Sequence, residues 1–159
     1  MIIYQTIFTV SNLSANELTD FMVNCNDDLY RKWWAGTHIA FHTTKRFPNN
    51  VGNCVVFDEY VGTYRLRFKA VLDIYEPGKA MVWHMKKIIP LPARLSLLLN
   101  KLPSGVQITH TLSIGYNRTG SVLDGLIRAF LPKELERDLA DHAQYEFRNL
   151  RDSMKTQRN

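Results

Sequence analysis

Apolar and polar residues alternate along two segments in the middle of the chain. In the first segment an apolar series opposes a charged one: Tyr64, Leu66, Phe68, Ala70, Leu72 and Ile74 against Arg65, Arg67, Lys69 and Asp73. In the second the two series are Val106, Ile108, His110, Leu112 and Ile114 against Gln107, Thr109, Thr111 and Ser113. Because successive residues of a strand point to opposite faces of a sheet, this alternation predicts an antiparallel sheet with one covered and one solvated face.

Segments rich in β-branched and aromatic residues predict the rest of the sheet. The predicted strands are Ile2–Val10, His38–Lys45, Val51–Val61, Thr63–Tyr75, Lys79–Lys87, Arg94–Lys101 and Gly105–Tyr116. The breaks between them carry turn residues, as in FPNN, EPGK and LPSG. Two short helices are predicted after the first strand. Ser14 caps the first helix, with Glu17 completing a capping box, and the second runs from Asn26 to Trp34.

The last long segment, from Ser121 to about Met154, predicts helix with an interruption at Pro132. Its apolar positions recur at helical spacing and should cover the apolar face of the sheet. The order of elements predicts an α+β fold, in which a curved antiparallel sheet of about seven strands wraps around a long C-terminal helix. We expect a single domain over residues 1–159.

One turn of this helix carries His142 and Glu146 on or beside its apolar side. At about 100° per residue, Glu146 falls between Leu135 and Leu139, and His142 lies at the edge of the apolar arc. A buried carboxylate without a partner is costly, so Glu146 should be protonated, paired with a cation or bound to a metal. Residues four apart on a helix can share one metal ion, and a hydrogen bond between them is the simpler alternative.

Any further ligands would come from the sheet. His38 and His42 share one face of an ideal strand but lie about 13 Å apart, so at most one of them can join a given metal. Asp58 and Glu59 point to opposite faces, and the apolar neighbours on its own face favour Glu59 as the inward residue. A carboxylate at the surface end of a strand remains the alternative for Glu59.

The inward face of the second alternating strand carries His110. It is the best candidate for a catalytic or substrate-orienting group, and a hydrogen-bonded core histidine is an equal alternative. His84 and Asn53 are weaker candidates. We expect a cavity between sheet and helix whose lining includes Trp34, Phe57, Phe68, Trp83, His110 and Leu139.

Three pieces of the sequence carry a resemblance to a known family: WWAGTH ending at His38, FDEYVG around Glu59, and HAQYEFRNL, which contains His142 and Glu146. Together they resemble the metal site of the 2,4-diacetylphloroglucinol hydrolase branch of the START-like (SRPBCC) superfamily. The order of elements also resembles the helix-grip fold of that superfamily, which includes polyketide cyclases and the birch-pollen allergen. The resemblance implies a zinc ion at the cavity mouth with His38, Glu59, His142 and Glu146 as ligands.

This ligand set suits zinc and would also accept another divalent metal such as manganese or iron. The implied reaction is hydrolysis of a carbon–carbon bond beside a carbonyl, in a β-diketone-like or acyl-phenol substrate. Two other functions stay open. One is a metal-free carrier or sensor of a hydrophobic or aromatic small molecule or lipid, and the other is a polyketide cyclase-like enzyme that uses His110.

The amino-acid composition limits the kinds of binding partner that we expect for the protein. The chain is 45% hydrophobic and 22% charged, as is typical of soluble globular proteins. Its net charge of +5 is spread among acidic residues, so no nucleic-acid partner is expected. No apolar run reaches about 18 residues, and the N-terminus lacks a signal-peptide pattern, so we expect no membrane partner and a cytoplasmic location. The segment IIPLPARL predicts a lid over the cavity mouth or a homodimer contact.

Overall fold

A computed structural model describes residues 1–86, 92–115 and 135–156 of the chain. Within these residues the elements are β1 (Ile2–Ser11), α1 (Ala15–Asn24), α2 (Asp27–Trp33), β2 (His38–Lys45), β3 (Cys54–Val61), β4 (Tyr64–Glu76), β5 (Ala80–Lys86), β6 (Ala93–Leu102), β7 (Gly105–Ile114) and α3 (Leu135–Thr156). The predicted strands and short helices are all present, with ends shifted by a few residues. The predicted break at Pro132 and most of the IIPLP segment lie outside the described residues.

All seven described strands form one antiparallel sheet in the order β1-β7-β6-β5-β4-β3-β2. The first strand therefore pairs with the last one, and β1 and β2 form the two edges. The long helix α3 packs against β1, β3 and α2. Because strands from both halves of the sheet contact the same helix, the sheet curves around α3, as the sequence predicts. None of the described helices is long and apolar enough to span a membrane.

The core lies between the sheet and the helices. Buried side chains of α3 meet the inner face of the sheet through Ala143, Phe147 and Leu150. The predicted alternation of β7 is confirmed, since Val106, Ile108 and Ile114 are buried. The capping box of α1 is also present: Ser14 Oγ accepts a hydrogen bond from Glu17 N, and the Glu17 carboxylate accepts one from Ser14 N.

Irregular pairing in two strands places two residues on the face of the sheet opposite to the predicted one. The pairing of β4 with β5 shifts between Leu72 and Ile74, so Ile74 turns outward and is 44% exposed. The pairing of β2 with β3 shifts between His38 and Ala40. His42 consequently lies opposite Val56 on the outer face, and the prediction that it shares a face with His38 is wrong. An extra residue in one strand reverses the parity of every residue beyond it, which strict alternation cannot anticipate.

Candidate metal centre

His38 is the first residue of β2 and enters the site from the turn that ends α2. Its backbone N–H donates to the carbonyl of Trp34 at 3.0 Å. Its ring Nδ1 lies 3.2 Å from the backbone carbonyl oxygen of Tyr30. Because a carbonyl can only accept a hydrogen bond, Nδ1 carries the proton and Nε2 presents its lone pair to the site. Burial lowers the pKa of His38 to about 4, so the imidazole is neutral at pH 7.

Glu59 lies on β3 directly opposite His38 in the antiparallel pairing, so the two side chains share the inner face. Its Oε2 is 3.8 Å from His38 Nε2 and accepts a short hydrogen bond from the Tyr30 hydroxyl. Burial by itself would raise the pKa of Glu59. The nearby imidazoles of His142 and His38, with the Tyr30 hydroxyl, outweigh this effect and lower the pKa. Glu59 is therefore a carboxylate that the site keeps ionised.

The helix α3 contributes His142 and Glu146, one turn apart and both buried. His142 Nε2 lies 3.7 Å from Glu59 Oε2, and Glu146 Oε1 lies 3.6 Å from His38 Nε2. Burial raises the pKa of Glu146 to about 8. For His142 burial lowers the pKa, but the carboxylates of Glu59 and Glu146 outweigh burial and raise it. Without a metal, the two groups on α3 therefore favour their protonated forms.

Two tryptophans next to the site hold α3 in place. The indole Nε1 of Trp33 donates a buried hydrogen bond to the backbone carbonyl of Glu146. The ring of Trp34 lies against the imidazole of His142, with centroids 4.8 Å apart. The end of α2 therefore fixes two properties of the α3 segment that carries two of the four candidate ligands: its position along the helix axis and its rotation about that axis.

The four side chains fit a single divalent ion. One ligand atom from each residue lies within 4.8 Å of the other three: His38, Glu59, His142 and Glu146. The imidazole–carboxylate separations of 3.6–3.8 Å are too long for hydrogen bonds. Both Nε2 atoms are buried and have no hydrogen-bond partner among the described residues, an arrangement that is costly in a protein interior. Donors about 2.0–2.2 Å from a tetrahedral zinc ion stand roughly 3.3–3.6 Å apart, so the three imidazole–carboxylate separations of 3.6–3.8 Å are close to those around one ion.

The other polar residues considered from the sequence lie away from this cluster. Asp58 points outward and is held by Arg65 through two hydrogen bonds of 2.9 Å. His42 pairs with Asp27. His84 is also on the outer face, where its Nδ1 lies 2.6 Å from a carboxylate oxygen of Asp73. Asn53 is buried in the turn before β3 and accepts a hydrogen bond from the backbone N–H of Phe47.

A cavity of about 60 Å³ adjoins the cluster, and Glu59, His142 and Glu146 form part of its wall. Most of the remaining lining is apolar. Five of the six predicted cavity residues line it: Phe57, Phe68, Trp83, His110 and Leu139. Trp34 does not, because it lies in a separate cleft on the other side of His142. Burial lowers the pKa of His110 to about 4, so a neutral imidazole faces the cavity.

Sequence reasoning missed Tyr30, which contacts both His38 and Glu59. A tyrosine within a short amphipathic helix is typical of a core residue, and nothing in its immediate sequence indicates a carboxylate partner. The one local signal is its spacing from Trp33, which places both aromatic rings on the same side of α2. The partner of its hydroxyl lies 29 residues further along the chain.

No family model matches the sequence, and no curated protein matches it. Solved structures are similar over nearly the whole chain. A protein of Thermus thermophilus, TTHA0849, aligns with a TM-score of 0.69 and 7% identity over 99% of this chain and 100% of its own. Ara h 8.0201 aligns with a TM-score of 0.66 and 12% identity over 98% of each chain. The di-domain ARO/CYC StfQ of the steffimycin biosynthetic pathway aligns with a TM-score of 0.66 and 11% identity over 98% of this chain and 52% of its own.

These likenesses show the fold. The chain has the helix-grip fold of Bet v 1-like and ARO/CYC proteins, with a seven-stranded antiparallel sheet, two short helices and a long C-terminal helix among its described residues. The predicted fold class is therefore confirmed. The zinc hydrolase branch stays a prediction.

Proposed function

We propose that the protein is a divalent-metal hydrolase, with zinc as the metal, that acts on an apolar carbonyl compound. The observation that carries this proposal is the convergence of two partnerless buried imidazole nitrogens and two carboxylates, among the residues that the structure describes, beside an apolar cavity. A pocket that only stores a hydrophobic ligand has no need of four such groups. A zinc ion bound there would supply Lewis acidity, which polarises a carbonyl oxygen and lowers the pKa of water.

The position of each residue at the site decides its proposed role. His38, Glu59, His142 and Glu146 would hold the ion, and because the last three line the cavity, the ion would lie at its wall. Apolar side chains there bind the hydrophobic part of the substrate and exclude water from it. His110 is neutral and can donate one hydrogen bond and accept another, so it would orient a carbonyl or phenol oxygen.

The substrate class follows from the bond to be broken. Hydrolysis of a carbon–carbon bond adds water to the carbonyl carbon and gives a carboxylic acid, while the electron pair of the broken bond leaves with the other carbon, which then takes up a proton. That electron pair must be delocalised onto an oxygen, either of the second carbonyl of a β-diketone or of the keto form of a phenol. Acyl-phenols and β-diketones meet this requirement, and both are hydrophobic enough for the cavity.

A metal-free pocket that binds or cyclises a hydrophobic small molecule is the second candidate. The likeness to an ARO/CYC structure favours it. In that case His110 would supply acid–base chemistry, and Glu146, whose pKa burial raises to about 8, would be protonated at neutral pH. Metal content separates the two candidates.

Elemental analysis of protein purified without a histidine tag tests the metal site. We expect about one zinc per chain, because the four donors surround a single position. Glu146→Gln and His38→Ala should each lose the metal. His84→Ala is the matched control, since His84 pairs with Asp73 on the outer face. Wild-type protein that retains no metal after equilibration with zinc and dialysis would overturn the proposal.

Metal removal tests the activity separately. Stripping the wild-type protein with a chelator should abolish turnover of a panel of acyl-phenols and β-diketones, and adding zinc should restore it. The reason is that polarisation of the carbonyl depends on the ion. The measurement is product formation by chromatography at equal protein concentration. Turnover that survives complete metal removal would exclude the hydrolytic mechanism and leave the cyclase-like alternative.

A further inference from the structure

Tyr30 contacts two of the four candidate ligands at once. Its hydroxyl donates a short hydrogen bond to Oε2 of Glu59. Its ring stacks on the imidazole of His38, with centroids 3.8 Å and planes 7° apart. Its backbone carbonyl also lies 3.2 Å from His38 Nδ1. The residue is 1% exposed, so the hydroxyl cannot swing away without disturbing the core.

The oxygen that Tyr30 contacts is also the oxygen that faces the metal centre. Glu59 Oε2 lies 3.8 Å from His38 Nε2 and 3.7 Å from His142 Nε2. A carboxylate oxygen has about two lone pairs, and the Tyr30 hydroxyl takes one of those on Oε2. One lone pair is then left on Oε2 for an ion. The bond from Tyr30 therefore holds Oε2 in the position that faces the ion.

We infer that Tyr30 is a positioning residue that holds Oε2 of Glu59 as the oxygen that binds the ion, so that Glu59 binds through one oxygen and leaves a coordination position free for water or a carbonyl oxygen. This inference rests on the metal site proposed above. With one atom from each of His38, Glu59, His142 and Glu146, the protein supplies four donors, and a fifth position at the ion stays open for water or a carbonyl oxygen. Manganese and magnesium prefer six, mainly oxygen, ligands.

The stacking contact strengthens the same effect. The Tyr30 ring holds the plane of the His38 imidazole, while the Tyr30 carbonyl fixes its tautomer. One residue of α2 therefore sets the orientation of a ligand on β2 and of a ligand on β3. Partners of metal ligands that act in this way affect metal affinity about 10–100-fold when they are removed.

The substitution Tyr30→Phe tests the inference, because it keeps the ring and removes only the hydroxyl. Cobalt(II) replaces zinc and absorbs visible light strongly when four-coordinate and weakly when six-coordinate. We expect a band of intermediate intensity, as for a five-coordinate ion, in the wild-type cobalt protein and a weaker band in Tyr30→Phe, in which Glu59 can bind through both oxygens. The zinc affinity of the variant should fall about 10–100-fold. The ratio of its zinc affinity to its manganese affinity should also be smaller than in the wild type. Tyr75→Phe is the control, since Tyr75 also packs on the core but its hydroxyl bonds with Thr19 and not with a candidate ligand.

Each outcome has a distinct meaning. An unchanged cobalt spectrum with unchanged zinc affinity in Tyr30→Phe overturns the role of Tyr30 and leaves the metal site standing. If the wild-type protein binds neither cobalt nor zinc, the metal site is wrong and this inference is wrong with it. If Tyr30→Phe does not fold, a crystal structure of the zinc-loaded wild type decides. A single Glu59 oxygen about 2.0–2.2 Å from zinc supports the inference, whereas two bound oxygens contradict it.

Discussion

Replacing His142 with alanine is expected to lower the affinity for zinc about 10²–10³-fold. Four-ligand zinc sites bind with about 10–16 kcal/mol, so one ligand accounts for about 2.5–4 kcal/mol, and about 1.4 kcal/mol corresponds to a factor of ten. His142 Nε2 is buried and has no hydrogen-bond partner among the described residues, so zinc does not have to displace a hydrogen bond from this atom. Competition with a chelating dye measures the affinity.

A second histidine provides the control for this experiment. His42 is on the outer face, paired with Asp27, so His42→Ala should bind zinc as the wild type does. Zinc at about 1,000 times its dissociation constant should raise the free energy of unfolding of the wild type by about 4 kcal/mol. At the same zinc concentration His142→Ala should gain far less. Equal zinc affinities in the wild type, His42→Ala and His142→Ala would show that His142 is not a zinc ligand.

Replacing Phe147 with alanine is expected to lower the free energy of unfolding by about 3–5 kcal/mol. Phe147 is 2% exposed, and its ring lies 5.7 Å from that of Phe8 on β1 and 5.8 Å from that of Trp33 on α2. It therefore joins the long helix to both the sheet and a short helix. Its removal leaves a void beside the existing cavity, which the surrounding core fills only in part. Urea denaturation of zinc-free protein measures the loss.

The neighbouring residue Tyr145 supplies a matched comparison on the same helix. Tyr145 is 57% exposed, so Tyr145→Ala should change the free energy of unfolding by no more than about 0.5 kcal/mol. If Phe147→Ala also costs less than about 1 kcal/mol, the helix is not anchored through this ring. A change in the slope of the denaturation curve would instead indicate an altered unfolded or native state.

Local patterns of the sequence were enough to predict the sheet and the helix that it surrounds. The alternation in β7 identifies the buried residues correctly, because its pairing with β1 and β6 runs without interruption. The pattern fails in β4 beyond Leu72 and in β2 beyond His38, where the pairing shifts. A shift of this kind depends on how neighbouring strands fit together, and a single strand carries no sign of it.

The candidate site shows the same division. Glu146 could be placed on the apolar side of α3 from helical periodicity alone, and the cost of burying a carboxylate made it a residue that needs a partner. The resemblance to a known family suggested which groups Glu146 meets. The contact of Tyr30 with Glu59 and the position of Trp34 outside the cavity had no counterpart in the local pattern.

The order of residues alone sets the periodicities of the chain, and hence the type and order of the elements and the face that each one buries where pairing is regular. These properties depend on residues close together in the chain. Only the folded chain shows which buried polar atoms lack a partner among the described residues and which are held by another side chain. It places the nitrogens of His38 and His142 beside the carboxylate of Glu59, and the hydroxyl of Tyr30 on that carboxylate. Such contacts join residues distant in sequence, and they form only when the sheet closes around its helix.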